Sequence, residues 1–432
     1  MIRCLFLSVA LLYLPFTSAT MAEEAIDRVW AGHSTGFALK LTDSHIYVAY
    51  YDANRQLTVA QRPLNNPAHW VYQRLGTWLG WDSHNLIALE IDRKGAVHVA
   101  GNMHVDPLTY FRSDDSGDVR TLKPVPQMVG PEREAAMTYP VFLHTQAGAL
   151  VFKYRDGTSG RGDEIYNIYD EQNQKWRRLT SAPLVDGKDR YNAYFVGPVQ
   201  GPDGFFHMAW VWRDTPMADT NHDLSYAKSA DLIHWQKADG TPLGLPIRLE
   251  TAEIVDPVPV KGGMINNNTV VGFDDQGRVM ITYHKYDQNG DTQIWVARFN
   301  GQKWERRQIS RWQGYRWDFS GGGSLNSEIF VEGARPDGAG HLIVPVVRLG
   351  QPIEFVLNAR DLSLIEARQV EGRAAQLASR FEQREGQQLN ILEARKGDKT
   401  YSLGWVTYPP QRDLPRQDIP PPGVLKLFID GK

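Results

Sequence analysis

Cysteine occurs once, as Cys4, inside an apolar leader. A chain that sheds this leader holds no thiol, so disulfides and thiolate-bound metals are excluded and stability must come from core burial. Long hydrophobic runs are missing as well: beyond the leader, no stretch is apolar enough to cross a bilayer as a helix. There is no basic excess, since 47 Lys and Arg face 50 Asp and Glu for a net charge of −3. That balance excludes a general nucleic-acid or membrane-surface binder, whose footprint would be basic, while leaving room for a local basic cleft that holds a polyanion. Sustained 3.6-residue apolar periodicity is the last absence, and it removes helical architectures.

The leader itself, MIRCLFLSVALLYLPFTSATMA, has one Arg, an apolar run and then small residues. This pattern predicts a secretory signal over residues 1–22, cleaved near Ala19 or Ala22, and a soluble periplasmic or extracellular protein. No Pro/Ser/Gly-rich linker divides the remainder, so residues 23–432 are expected to form one domain with ample length for a large core.

What the chain does contain is aromatic residues (13 Trp, 18 Tyr, 16 Phe), 38 Gly and 25 Pro, arranged in short alternating runs bounded by Gly, Asp and Asn. Such runs read as strands. A repeated unit follows: a strand, a Tyr/Trp/His-containing strand end, a second strand, then a Trp. It is clear at 47–70, 149–176, 205–235 and 278–304, and weaker at 94–113, 340–359 and 389–408. About seven units at this period predict an all-β, seven-bladed β-propeller, with the C-terminal segment PPGVLKLFIDGK completing a blade begun near the N-terminus. Residues 366–385 are the one place where a helix or irregular excursion is expected.

In a propeller, equivalent positions of successive repeats converge on one axial cleft. Those positions offer His84, His104, Tyr139, Tyr154, Arg155, Arg161, Asn192, Tyr194, Trp212, Arg213, Asn221, His222, Asn266, Asn267, His284, Lys285, Arg316 and Trp317, with few carboxylates among them. The usual glycoside hydrolase needs two flanking carboxylates, and the repeats nominate no such pair. A uronate lyase needs a different set. It must neutralise the substrate carboxylate, for which an Arg or a metal serves, and move a proton at C5 and O4, for which His and Tyr suffice.

The segments GHSTGFAL, YVAYYDANRQLTVAQR, GWDSHN, VAGNMHVDPLTYFR, YRDGTSGRGDEIYNIYD, NAYFVGPVQGPDGFFHMAWVWRDT, TNHDLSYAKSADLIHW, EIVDPVP and RWDFSGGG together resemble the bacterial BNR repeat-containing family. That group includes propeller-fold ulvan lyases, and the resemblance runs to about residue 330. It implies that His84 and His104 are the lyase histidine pair, Tyr139 the catalytic tyrosine and Arg155 the carboxylate-neutralising arginine. Tyr194, Arg213, Asn221, His284, Arg316 and Trp317 are then expected to contact a uronate-containing, rhamnose-rich polysaccharide. The protein acts as a monomer in this reading, without nucleic acid or membrane. Which of His84 and Tyr139 is base and which acid stays open.

The resemblance also implies a family-type structural zinc site drawing on His207 and His222, but Ala209 and Ala218 stand where its cysteines are expected. No metal or cofactor is therefore predicted, and a structural calcium ion stays open. Blander readings compete. His98 and His207 share a repeat position and suggest blade packing, as do Trp176, Trp235 and Trp304. Arg155 could be tied to Asp156 or Asp163; Trp212, Trp295 and Trp317 could stack on sugars or pack between blades. SADLIHW is an imperfect sialidase-type Asp-box and reads as a turn. Two other functions share the scaffold: a sialidase-like glycoside hydrolase, and a glycan-binding propeller without turnover.

Overall fold

The computed structural model describes residues 21–67 and 69–431, so the signal expectation lies almost wholly outside the described residues. Among the described residues, seven antiparallel sheets of four to six strands carry the chain. No described helix is long and apolar enough to cross a membrane. Where residues 366–385 left a helix open, the chain has the end of strand Leu364–Gln369 and then a single short helix, Arg373–Leu377.

Strands in the middle of several sheets are buried on both sides. The stretch His45–Tyr51 is buried at six consecutive positions, and Phe206–Arg213 at all eight. Simple alternation of apolar and polar residues fails there because each sheet packs face to face against its neighbours. Clusters of side chains fill the gaps between consecutive sheets: Phe142 and Phe152 pack with Ala100, Trp210 with Val151, Val211 with Ile281, and Val344 with Val296. Another cluster joins Val48 and Val97 to Leu403 and Leu425, so the last sheet meets the first. Burial of this kind is the main favourable contribution to folding in a protein without disulfides.

The last sheet contains both chain ends. Strand Gly423–Asp430 pairs antiparallel with Ala22–Val29, and Lys399–Thr407 lies on its other side, as expected from the C-terminal segment. Strands Ala38–Leu41, Ile87–Ile91, Met137–His144, Asn192–Gln200, Val270–Phe273, Ile329–Val331 and Gln388–Lys396 belong to the seven successive sheets, with His104–Asp106 paired at the edge of Met137–His144. Several of them touch one another directly, and they place segments that enter successive sheets beside a shared cavity.

His98 and His207 repeat one packing motif. Each is buried and bonded to a tyrosine hydroxyl and an aspartate: His98 to Tyr110 and Asp92, His207 to Tyr226 and Asp203. In SADLIHW, Asp231 accepts the backbone N–H groups of Ile233 and His234, and Trp235 is buried. That is a turn.

Candidate active site

A cavity of about 320 Å³ is lined by Ser83, His84, His104, Tyr139, Ser159, Tyr194 and Arg213 on one side, with Pro216, Asn266, Asn267, Ser324, Phe330 and Pro410 among the rest. Its walls come from the entry segments of successive sheets. His84 precedes Ile87–Ile91, Tyr139 and Tyr194 lie within Met137–His144 and Asn192–Gln200, and Asn266 and Asn267 precede Val270–Phe273.

GWDSHN is held from below. Trp81 packs edge-on against Trp30, with ring centroids 5.3 Å apart, and the Arg55 guanidinium lies 3.9 Å from the Trp30 ring and 4.5 Å from the Trp81 ring. The Tyr51 hydroxyl donates to the Asn85 carbonyl at 2.7 Å. Above this support, Asp82 binds both histidines through their Nδ1 edges, His84 at 2.7 Å and His104 through the other carboxylate oxygen. The two imidazoles lie 4.2 Å apart, and neither Nε2 has a hydrogen-bond partner among the described residues. A carboxylate at Nδ1 fixes the tautomer that leaves Nε2 bare, the form that can accept a proton. Sequence reading missed Asp82, although its position two residues before His84 was a usable signal.

Burial opposes ionisation of Asp82, but the bonds from His104 and His84 outweigh it and hold the carboxyl far below the ordinary carboxylate range. A carboxyl depressed in the folded state adds stability above its unfolded value, about 3.9, and loses it as pH falls below that. Asp82→Asn is therefore expected to lower the melting temperature near neutrality and to leave a smaller gap in acid. Thermal unfolding of both proteins from about pH 7 down to about pH 3 checks this; a gap that widens in acid contradicts it.

Tyr139 sits at a break in pairing: the register of Met137–His144 against Leu150–Thr158 shifts between Thr138 and Val141. Its φ is +56°, a left-handed conformation that is costly for a bulky residue and disfavoured before a proline. The kink brings the ring within 6.1 Å of His84 and 6.4 Å of His104, centroid to centroid. Thr138 ties the same bulge to its surroundings, accepting from the Val105 backbone at 2.9 Å and from Arg155 at 3.0 Å.

Arg155 does not line the cavity. It is 3% exposed and lies one layer behind, with its guanidinium carbon 5.0 Å from the Tyr139 ring and 5.8 Å from the Tyr194 ring. Gly162 makes room for it, since a Cβ there would be 2.9 Å from Arg155 Cγ and Cδ. The expected direct clamp is thus corrected: the strand register puts two tyrosines between Arg155 and the cavity. The alternative tie to Asp156 or Asp163 is not formed either, because Arg133 takes both, at 2.9 and 2.8 Å. Arg155 has no carboxylate partner among the described residues. It donates to Tyr194 at 3.4 Å, and Tyr194 also meets Ser159 Oγ at 2.5 Å.

The two tyrosines are driven apart in acidity. Burial and the neighbouring Tyr194 push the Tyr139 phenol well above its ordinary value. Burial acts the same way on Tyr194, but the guanidiniums of Arg155 and Arg213 outweigh it and bring that phenol below the ordinary value. Arg213 does line the cavity, while spending its donors on Thr215, Pro216 and Asn266.

Four expected substrate contacts lie elsewhere. His284 is buried against Trp317, their centroids 5.3 Å apart, and Trp317 is itself buried beside Phe319. Asn221 is buried behind the cavity wall, bonded to Ala218 and Asn266. Arg316 stacks on Tyr286 and donates to Gly290. Packing buries His284, Trp317 and Asn221 away from the cavity, while Arg316 stays exposed on Tyr286.

A family-type zinc site does not fit either. His207 and His222 lie at opposite ends of one strand pair, where His207 faces Lys228 and His222 faces Trp212, so they cannot share an ion. Among the described residues the one trio able to converge on a metal is Asp82, His84 and His104, with ligand atoms within 4.8 Å. Both Nδ1 atoms there are engaged by Asp82.

Residues 45–312 match the model of BNR repeat-containing family members. The ulvan lyase, short isoform, of Alteromonas sp. (strain LOR) is 25% identical over 249 residues, covering 52% of this chain and 47% of that protein. The chain thus matches about half the length of that curated relative. Among solved structures, the polysaccharide lyase Uly1 is similar with a TM-score of 0.63 at 13% identity, covering 92% of this chain and 90% of the other. A PL25 ulvan lyase bound to -[GlcA(1-4)Rha3S]- is similar with a TM-score of 0.62 at 12% identity, covering 94% and 95%. At these identities the structural likeness is one of fold, and the neighbours are propeller-like.

Proposed function

This chain belongs to the BNR repeat-containing family, and from that premise we propose that it is a secreted polysaccharide lyase cleaving a uronate-containing, ulvan-like glycan by β-elimination. Its seven sheets are read as the blades of one closed propeller, monomeric in the periplasm or outside the cell. The observation that carries the reading is the meeting of His84, His104 and Tyr139 in one cavity backed by two guanidinium groups.

The roles follow from acidity and hydrogen bonding. His84, with Nδ1 held by Asp82, removes the C5 proton through Nε2; the C–H electron pair becomes the C4–C5 double bond as the C4–O4 bond breaks. Tyr139, kept protonated by its surroundings, gives its proton to the departing O4. Charge that builds on the uronate carboxylate during proton removal is stabilised by the positive field of Arg213 at the wall and Arg155 behind it. His104 keeps the pair in place across Asp82. A sialidase-like hydrolase needs a free acidic partner beside its tyrosine, and the carboxylates here, Asp82 and Asp413, are engaged with the histidines.

Incubation with ulvan or another rhamnose–glucuronate polymer is expected to produce ultraviolet absorbance from unsaturated uronate, undiminished by EDTA because no step uses a metal. New reducing ends without that absorbance would indicate hydrolysis. Binding without new ends would leave only a glycan-binding protein.

A further inference from the structure

The glycine run Gly321–Gly323 and the loop between strands Lys399–Thr407 and Gly423–Asp430 meet beside His84, and no step above uses either. Gly321 and Gly323 have φ of +82° and +72°, and a Cβ on Gly323 would lie 2.8 Å from the Arg412 carbonyl oxygen. Lack of side chains therefore lets the two loops close. Arg412 fastens them: its guanidinium donates to the Ser320 carbonyl at 2.8 Å and the Gly322 carbonyl at 3.0 Å, and its backbone N–H to Ser324 at 3.2 Å.

The next residue is Asp413. Both Arg412 and Asp413 have positive φ, +53° and +61°, a conformation non-glycine residues hold only where the surroundings impose it. This backbone turns the Asp413 carboxylate into the junction. It accepts from the backbone N–H of Ser83 at 3.2 Å and of Ser324 at 3.0 Å, and from the Ser324 hydroxyl at 2.5 Å. One of its oxygens lies 3.5 Å from His84 Nδ1, and Ser324 Oγ lies 3.3 Å from the same nitrogen. Asp413 is outside the family-matched segment and does not line the cavity.

We propose that Asp413 is a positioning residue for His84, pinning the GWDSHN loop to the glycine run and to the C-terminal hairpin so that the imidazole stands at a fixed place in the cavity. The ring's Nδ1 edge is enclosed by oxygens from three separate segments: Asp82, Ser324 and Asp413. Asp82 sits in the same loop as His84 and ties that loop on one side to His104, whose strand pairs with Thr138 beside Tyr139. The pin to residues 320–324 and 408–422 adds a second anchor, from the glycine run and the C-terminal hairpin, at the Nδ1 edge of the ring. The inference rests on the lyase reading only for its kinetic consequence, because ring placement is a property of the protein alone.

The test uses the full chain with Asp413→Ala and the isosteric Asp413→Asn. If the lyase reading holds, Asp413→Ala is expected to lower kcat about tenfold to a hundredfold, as displacement of a catalytic group does, with KM within about twofold. Asp413→Asn keeps an acceptor oxygen and should retain more activity. Independently of turnover, side-chain NMR of 15N-histidine-labelled protein should show the His84 signals, assigned by their loss in His84→Gln, moving in Asp413→Ala while those of His98 and His207 stay. Unmoved His84 signals overturn the proposal whatever the activity, as does a shift of all three histidines together or a normal kcat in an active enzyme. Should Asp413→Ala fail to fold, Asp413→Asn is judged by the same signals. A wild-type protein that makes no unsaturated uronate but shows the selective His84 shift refutes the lyase reading and upholds the positioning role.

Discussion

Tyr139→Phe is expected to lower turnover on a uronate polymer about a thousandfold, within the range that a positioned acid or base contributes, while the melting temperature stays near that of the wild type. The phenyl ring keeps its contacts with His84, His104 and Tyr194 and loses only the hydroxyl. That hydroxyl is the group whose acidity the site has adjusted. Burial and Tyr194 hold it protonated at neutral pH, which suits a donor to O4 and not a resting base. His84→Ala should match the loss by removing the acceptor at C5, and the double variant should be little worse than either single one, because both serve one concerted proton relay. Initial rates of ultraviolet absorbance for the three variants check this. Near-normal rates in either single variant would remove it from the mechanism.

Arg155→Met is expected to cut kcat/KM about a hundredfold or more and yet leave the protein as stable or more so. A buried guanidinium without a carboxylate carries a desolvation cost that hydrogen bonds to Thr138 and Tyr194 only partly offset, and its Nε has no partner among the described residues. Methionine fills similar space without that cost. The charge is retained, in this reading, for its effect on Tyr194 and on the developing negative charge in the cavity. The Arg155 guanidinium is the main positive charge that brings the Tyr194 phenol below its ordinary value, so the variant should shift tyrosinate formation in a spectroscopic titration to higher pH. Kinetics, thermal unfolding and that titration together decide. A sharp fall in melting temperature with little change in rate would make Arg155 structural.

Much of the fold was legible because its signals are local. Turns built on Gly, Asp and Asn, strands of seven to nine residues and a repeated Trp position announce themselves within 50 to 70 residues, roughly the period of one unit. The histidine pair was legible for a related reason: His84 and His104 follow turn-forming WDS and GNM, while His98 sits mid-strand and packs as a mid-strand residue. Residue type was a poorer guide. His284 and Trp317 occupy positions equivalent to cavity residues, yet both are buried, because the depth of a side chain depends on the sheet that packs over it.

By itself, the sequence determined the all-β class, the repeated units and the pairing of the two chain ends in one sheet, and it sent to one cleft a wider set of residues from which the cavity collects His84, His104, Tyr139, Tyr194, Arg213, Asn266 and Asn267. Those follow from hydrophobic pattern and from the rule that equivalent positions of a repeat converge. Only the tertiary structure decided that Asp82 bridges both histidines, that Arg155 stands behind the tyrosines with Arg133 taking its expected partners, and that Asp413, more than 300 positions along the chain, reaches His84. Contacts of that kind are fixed by how separate sheets meet, and no local pattern encodes which charged group a neighbouring sheet will leave unpaired.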